Sequence, residues 1–406
     1  MGKMKDFVMQ LPRDVEFILG KMKTSGFAAH VVGGSVRDAV IGRSHGDYDI
    51  TTNALPEQTK AVFDGYRIIE TGIKHGTVTL LLDGEPYEIT TYRVDGDYKD
   101  NRHPESVTFT SLLEEDLMRR DFTVNAMAYN PDTGTVDPFG GRSDAADKLI
   151  RAVGDPYRRF DEDALRILRA LRFASTLGFE IEERTATAVR ERAYLLSSIS
   201  RERVYVELKK LIMGVDAVRI LTEYADVIAP TLCGLNIKRL PCESRLGAAQ
   251  MHTRFSALFL LNSDSPAEHA ERAFTELKTD KLTRSRVSAP LFAYECVGFA
   301  DVKETLRHLC AYGEQTVKDT LDLGILCERF GERESENYAA ALASGIPYTV
   351  GQLKIKGGDV AALGFRGQSI GEVLSALLDA VIDGRVANER SALLGYLGTL
   401  KNGKGI

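Results

Sequence analysis

VVGGSVRDAVIGRSHGDYDITT, residues Val31 to Thr52, decides the fold. It reads as strand, glycine turn, short helix, loop and second strand. Val31 and Val32 end an apolar run that begins at Phe27. Gly33 and Gly34 then remove two Cβ atoms where a backbone can approach a bulky ligand. Ser35 is placed to cap a helix whose first turn carries Arg37 and Asp38. The second strand opens with Asp47-Tyr48-Asp49, and strand alternation puts both carboxylates on one face. Two such groups repel each other unless a cation lies between them. Hard oxygen donors of this kind suit Mg²⁺, which binds a few carboxylates plus substrate phosphates. The pattern predicts a triphosphate held by the backbone at Gly34 and by Arg37, with metal on Asp47 and Asp49. A lone D-x-D or Gly-Gly is a weak signal, whereas G-G-x-x-R-D, a loop and then D-x-D is specific.

The whole stretch resembles the signature of the DNA polymerase β-type nucleotidyltransferase superfamily. In detail, GGSVRDAVIGR followed by DYDI looks like the class II tRNA nucleotidyltransferases, the CCA-adding enzymes, and the related bacterial poly(A) polymerases.

Composition bounds the reading. The chain has 406 residues, 44% hydrophobic and 27% charged, an ordinary globular balance. No apolar run approaches the roughly 20 residues a membrane span needs, so no membrane contact is expected. The N-terminus MGKMKDFVMQ has no signal-peptide core, and Asp6 stands where a myristoylation signal needs Ser or Thr. Five scattered cysteines form no C-x-x-C pair, which fits reduced cytoplasmic thiols. A net charge of −6 argues against an all-over basic surface, although one local basic face suffices for RNA.

Along the chain, Val15, Ile18, Leu19 and Met22 mark an amphipathic helix over residues 12–24. Pro56 opens another helix. Strands are expected at 67–70, 77–82 and 87–92, with Asp83-Gly84 as a tight hairpin turn. Glu88 on the third strand is a candidate third carboxylate beside Asp47 and Asp49. A solvated strand charge is the alternative reading. The polar stretch 94–106, VDGDYKDNRHPES, is longer than a usual hairpin loop. By the resemblance, a flexible loop here helps switch specificity from CTP to ATP. Its full length favours complete CCA addition over CC addition.

The family's R-R-D-F-T-x-N-A motif stands here as Arg119 to Ala126. Paired arginines suit phosphate contact, so Arg120 is expected at the sugar-phosphate, with Asn125 at a ribose hydroxyl. The alternative is a helix end whose arginines meet Asp116 and Asp121. Asp137 to Gly141 is a turn cluster, and the resemblance makes it the joint between a catalytic head and a helical neck.

Residues 161–173, DEDALRILRALRF, are expected to form one helix with acids in its first turn. Ala164, Leu165, Leu168 and Leu171 make its apolar face. Asp163, Arg166, Arg169 and Arg172 recur every third residue, and that stripe drifts about 60° per step. Such drift opposes a flat grip on one small ligand. Asp163 and Arg166 could together imitate a Watson–Crick partner, since C and A both present an exocyclic amine. An i, i+3 salt bridge worth a few tenths of a kcal/mol is the plain alternative. E-D-x-x-R matches the motif by which class II enzymes read the incoming nucleotide without a template, and Arg169 and Arg172 match the family's nucleotide-binding arginines. Residues 202–210, ERVYVELKK, resemble the last recognisable motif. GGDVAALGF and NERSALLGYL resemble the helical tail that holds tRNA, with Arg366-Gly367 where a Pro-Gly is expected.

The resemblance therefore implies an α+β chain. A mixed-sheet nucleotidyltransferase head (1–140) leads into an all-α neck that reads the base (141–205). A helical body (206–285) and a tRNA-binding tail (286–406) follow. The implied activity is CCA addition to tRNA from CTP and ATP on two Mg²⁺, in the cytoplasm, with no stable protein partner. A poly(A) polymerase, an A-adding enzyme and a non-catalytic RNA-binding scaffold are the alternatives. Clustered unpaired carboxylates are of no use to a dead scaffold.

Overall fold

A computed structural model describes residues 7–44, 46–96 and 107–402. The chain forms two compact units, Met1–Gly234 and Leu235–Ile406. The expected switching loop falls largely on residues 97–106, outside the described residues.

The first unit is built on a mixed sheet. Its strands are β1 (Ala29–Val32), β2 (Asp49–Thr52), β3 (Arg67–Ile69), β4 (Thr77–Leu82), β5 (Glu85–Thr91), β8 (Ala128–Asn130) and β9 (Gly134–Val136). Their order is β3-β4-β5-β2-β1-β8-β9. All neighbours run antiparallel except β2 and β5, which are parallel with Ile50 opposite Ile89. Two short strands, β6 (Arg93–Asp95) and β7 (Val107–Phe109), pair apart from it. The β4–β5 turn uses positive φ at Asp83 (49°) and Gly84 (91°), as a tight hairpin requires.

Helix α1 (Arg13–Thr24) buries Val15, Ile18, Leu19 and Met22 against this sheet, with Ile50, Leu80 and Ile89 in the same core. Helix α2 (Gly34–Val40) leaves β1 through Gly33, whose φ is +76°. Ser35 lies inside that helix and donates to the Val32 carbonyl. It is therefore not the cap, because the helix starts two residues earlier, with Gly33 in the cap position. Strand β2 begins at Asp49, so Asp47 belongs to the approach segment. Helix α3 (Pro56–Val62) starts on its proline as expected.

Helix α4 (Leu113–Met118) precedes the arginine motif. Helix α5 (Gly141–Ala146) is capped by Asp137, which accepts from the amides of Gly141 (2.7 Å) and Arg142 (2.9 Å). A Cβ on Gly141 would stand 2.2 Å from the Thr123 carbonyl oxygen, so only glycine lets these backbones meet. The turn at 137–141 thus packs tightly on the motif preceding it. A two-residue parallel ladder, β10 (Leu149–Ile150) with β11 (Glu180–Ile181), interrupts the helical part that follows.

The expected helix 161–173 is two helices. Helix α6 (Pro156–Glu162) ends at Asp163, whose backbone is extended (φ −138°, ψ 100°), and α7 (Leu165–Leu177) begins two residues later. The three acids therefore close α6 instead of opening the next helix. Ala164, Leu165, Leu168 and Leu171 are buried as expected. Helices α8 (Glu183–Glu191) and α9 (Arg201–Ile212) follow, and α7 packs along α9.

The second unit is helical, from Glu243–Leu246 through Met251–Asn262 to Arg390–Asn402. Its core includes Leu306, Leu309, Val317, Leu377 and Leu393. No helix among the described residues is long and apolar enough to cross a membrane.

Candidate active site

A cavity of about 610 Å³ opens in the first unit. Gly33, Gly34, Ser35, Arg37 and Asp38 form one wall at the start of α2. Asp47 and Asp49 stand at the mouth of β2. Arg119, Arg120, Asp121 and Asn125 come from the segment after α4. Asp163, Arg166, Arg169, Arg172 and Phe173 come from the α6–α7 break and α7, and Lys210 from α9. Every residue expected at the site is here except Glu88. The parallel register sets Glu88 level with Asp49 on the sheet, but it is exposed and outside this lining.

Asp47 and Asp49 are both open to the cavity. Protein nevertheless surrounds Asp49 closely enough that desolvation raises its carboxyl above the usual range. Arg120 pulls it down and Asp47 pushes it up again. Among the described residues no third His, Cys, Asp or Glu completes a ligand cluster. Two hard carboxylates, one of them reluctant to ionise alone, form a donor set that a divalent cation with substrate phosphates would satisfy.

Beneath them lies Asp116, fully buried. It accepts from Arg119 Nε at 2.9 Å and stands 3.5 Å from Arg120 Nη2, so one carboxylate roots both motif arginines. Arg120 is enclosed, its pKa drawn down by burial, and its Nε has no hydrogen-bond partner. A Cβ on Gly33 would lie 3.0 Å from Arg120 Nη1 and 4.0 Å from Asp49 Oδ2. The glycine turn, the arginine and the carboxylate are therefore packed as one unit.

Asp121 holds a different arginine from the one expected. It receives Arg169 Nε at 2.8 Å and Nη2 at 2.5 Å, and its other oxygen receives Asn125 Nδ2 at 3.0 Å. Burial acts to raise its pKa, but Arg169, Asn125 and Arg166 bring it down to about 2. Asn125 in turn accepts from Arg37 Nη1 at 2.6 Å. Arg37 also pairs with Asp38 at 2.8 Å. A continuous polar chain thus links α2 to α7.

Asp163 and Arg166 share the cavity without a side-chain pair between them, although the Arg166 amide donates to the Asp163 carbonyl at 3.0 Å. Asp163 Oδ1 accepts from the Leu165 amide (3.1 Å) and Oδ2 from Arg203 (3.2 Å). Arg166 donates to Glu162 (2.9 Å) and to the carbonyls of Arg159 (3.1 Å) and Arg119 (2.9 Å). The i, i+3 bridge is absent because the helix break moves Asp163 off the α7 spiral. That break, with the reach of arginine side chains, also lets all four residues of the drifting stripe face one cavity. Arg172 pairs with Glu207 and stacks on Phe173, its guanidinium carbon 3.7 Å from the ring centre.

Residues 29–151 match the family model of the poly A polymerase head domain. Residues 178–226 match that of the probable RNA and SrmB-binding site of polymerase A. The CCA-adding enzyme of Streptococcus thermophilus is 35% identical over 403 residues, covering 95% of this chain and 96% of its own. The chain belongs to the CCA-adding enzymes. The CCA-adding enzyme of Limosilactobacillus fermentum is 36% identical over 393 residues, covering 94% and 96%. The crystal structure of the Bacillus stearothermophilus CCA-adding enzyme in complex with CTP superposes with a TM-score of 0.79 at 32% identity, covering 98% of this chain and 99% of that one.

Several residues of this CCA-adding site escaped sequence reasoning. The alternative reading of the motif already pairs its arginines with Asp116 and Asp121, and Asp116 does hold Arg119 and Arg120. The pairings of Asp121 with Arg169 and of Glu207 with Arg172, 48 and 35 residues apart, carry no local signal. Lys210 and Phe173 lay within recognised motifs, but nothing in their spacing set them apart from core and surface neighbours.

Proposed function

We propose that this chain adds C, C and A to the 3′ end of tRNA from CTP and ATP, without a nucleic-acid template, releasing pyrophosphate at each step. One observation carries the reading. The carboxylate pair suited to phosphoryl transfer and the Asp163–Arg166 pair suited to reading a base line the same cavity.

The tRNA 3′-hydroxyl would attack the α-phosphate of the bound nucleotide. Asp47 and Asp49 would hold the metal, which we assign as two Mg²⁺; Glu88 is left out because it lies outside the cavity lining. Bound there, the metal supplies charge neutralisation at the phosphates and a more acidic attacking hydroxyl. The start of α2 and Arg37 would position the triphosphate, and Arg120 the sugar-phosphate. Arg37 and Asn125 are already hydrogen-bonded to each other, so both are set before the nucleotide arrives. Asp163 keeps lone pairs free for an exocyclic amine, and Arg166 keeps donors for ring nitrogen or carbonyl. Arg169 and Arg172 extend the cationic wall beside them.

The five cysteines are free thiols, which accords with a reducing, cytoplasmic setting. The matched head model is shared in name with poly A polymerases, so product length is the deciding property. Purified protein is incubated with tRNA lacking its last three nucleotides, Mg²⁺, and CTP and ATP singly and together, and the 3′ ends are sequenced. Ends of CCA, with C or CC from CTP alone, are expected. Long A tails would move the function to poly(A) polymerase, and addition only to tRNA ending in CC would mean an A-adding enzyme.

A further inference from the structure

We infer that Arg203 is a positioning residue for nucleotide choice, holding the Asp163 carboxylate in the orientation that meets the base. The inference rests on the reading that Asp163 faces the base.

Asp163 sits at a break between helices, where its extended backbone gives the side chain little local support. Two contacts fix it. The Leu165 amide binds Oδ1 and Arg203 Nη2 binds Oδ2. The first comes from the start of α7 itself. The second comes from α9, 40 residues later, and is a charged contact from a separate helix. Removing it leaves a carboxylate pinned at one oxygen and free to swing about that bond.

Arg203 does not line the cavity, so it acts on the nucleotide only through Asp163. Its Nη1 is buried without a hydrogen-bond partner. An arginine present only to stabilise the packing of α7 on α9 would be expected to satisfy that donor. One turn further along α9, Glu207 pairs with Arg172 and approaches Arg169 at 4.0 Å. Helix α9 therefore backs the base-reading wall at both ends: a cation behind the acid, an acid behind the cations. Lys210, another turn on, enters the cavity directly.

A residue that only supports the fold would affect every nucleotide alike. A residue that aims Asp163 changes the ratio between nucleotides. The test measures kcat/KM for CTP and UTP on tRNA lacking CCA, in wild type, R203Q, R203K, D163A and the R203Q/D163A double variant. R203Q is expected to lower the CTP-over-UTP ratio about tenfold, the scale of one lost charge-assisted contact. R203K, which keeps the cation, should stay within about threefold of wild type. In the D163A background R203Q should change the ratio no further, since both act through one carboxylate. If R203Q does not fold, the same cycle is run with R203M, which also removes the charged contact and must then show a ratio change that vanishes in D163A. Equal loss for both nucleotides, or additive effects in the cycle, would overturn the inference. Retention of the CTP preference by D163A alone would instead overturn the base-reading assignment on which it rests.

Discussion

Asp121 accepts both Arg169 Nε and Nη2, at 2.8 and 2.5 Å, across 48 residues of sequence. This contact ties the arginine motif to α7, the helix that carries Arg166, Arg169 and Arg172. Its strength is legible in the low Asp121 pKa of about 2 against an ordinary 3.8.

That pKa sets a pH dependence. A carboxyl held below its unfolded value favours the folded state when ionised, so its contribution is complete above the ordinary value. It is lost as the pH falls from about 4 toward about 2. The drop is worth about 2 kcal/mol. D121N should be less stable than wild type at pH 7 by about that amount, and the gap should narrow to about half by pH 3. Denaturant titrations at pH 7 and pH 3 check both statements.

Asp49 has the opposite sign. Burial raises its pKa, so its ionised form is disfavoured in the free protein and D49N should not lower the melting temperature. It should abolish nucleotide addition. Millimolar Mg²⁺ with CTP should raise the melting temperature of wild type and shift D49N much less. Differential scanning fluorimetry with and without both ligands reads this directly.

The two glycines of the turn should behave differently. Gly33 has φ +76° and abuts Arg120, whereas a Cβ on Gly34 meets Arg37 Nη2 at an ordinary 3.6 Å. G33A should cost about 1–3 kcal/mol of stability and displace Arg120, with a large loss of kcat. G34A should fold normally, so that any loss of activity reports contact with the triphosphate. Thermal melts and steady-state kinetics on both variants separate the two cases.

Lys210 has no ion pair among the described residues. The cavity's arginines, by contrast, are held by Asp38, Asp116, Asp121, Glu162 and Glu207. K210M should therefore leave stability unchanged and raise KM for both CTP and ATP about tenfold, the scale of one charged phosphate contact. An unchanged KM would remove Lys210 from the site.

Much of this was legible in the sequence. GGSVRD, DYD, RRDFTVNA and EDALR each named residues that the fold brings into one cavity. The strand pattern also placed the β4–β5 hairpin, because alternation and an Asp-Gly turn are local signals. What stayed hidden was non-local or unmarked. The break at Asp163 carries no glycine or proline, and the apolar spacing runs through it unchanged. The pairings Arg169–Asp121, Arg172–Glu207 and Arg203–Asp163 join residues 35 to 48 positions apart, beyond any periodicity. Strands β8 and β9 are three residues each, too short for alternation to register.

The central claim is that one protein cavity both performs the transfer and chooses the base. Sequencing tRNA 3′ ends made by wild type and D163A, with all four nucleotides present, tests it most directly. Wild type should yield CCA, and D163A should yield mixed bases on the same tRNA. Ends that remain CCA in D163A would contradict the account.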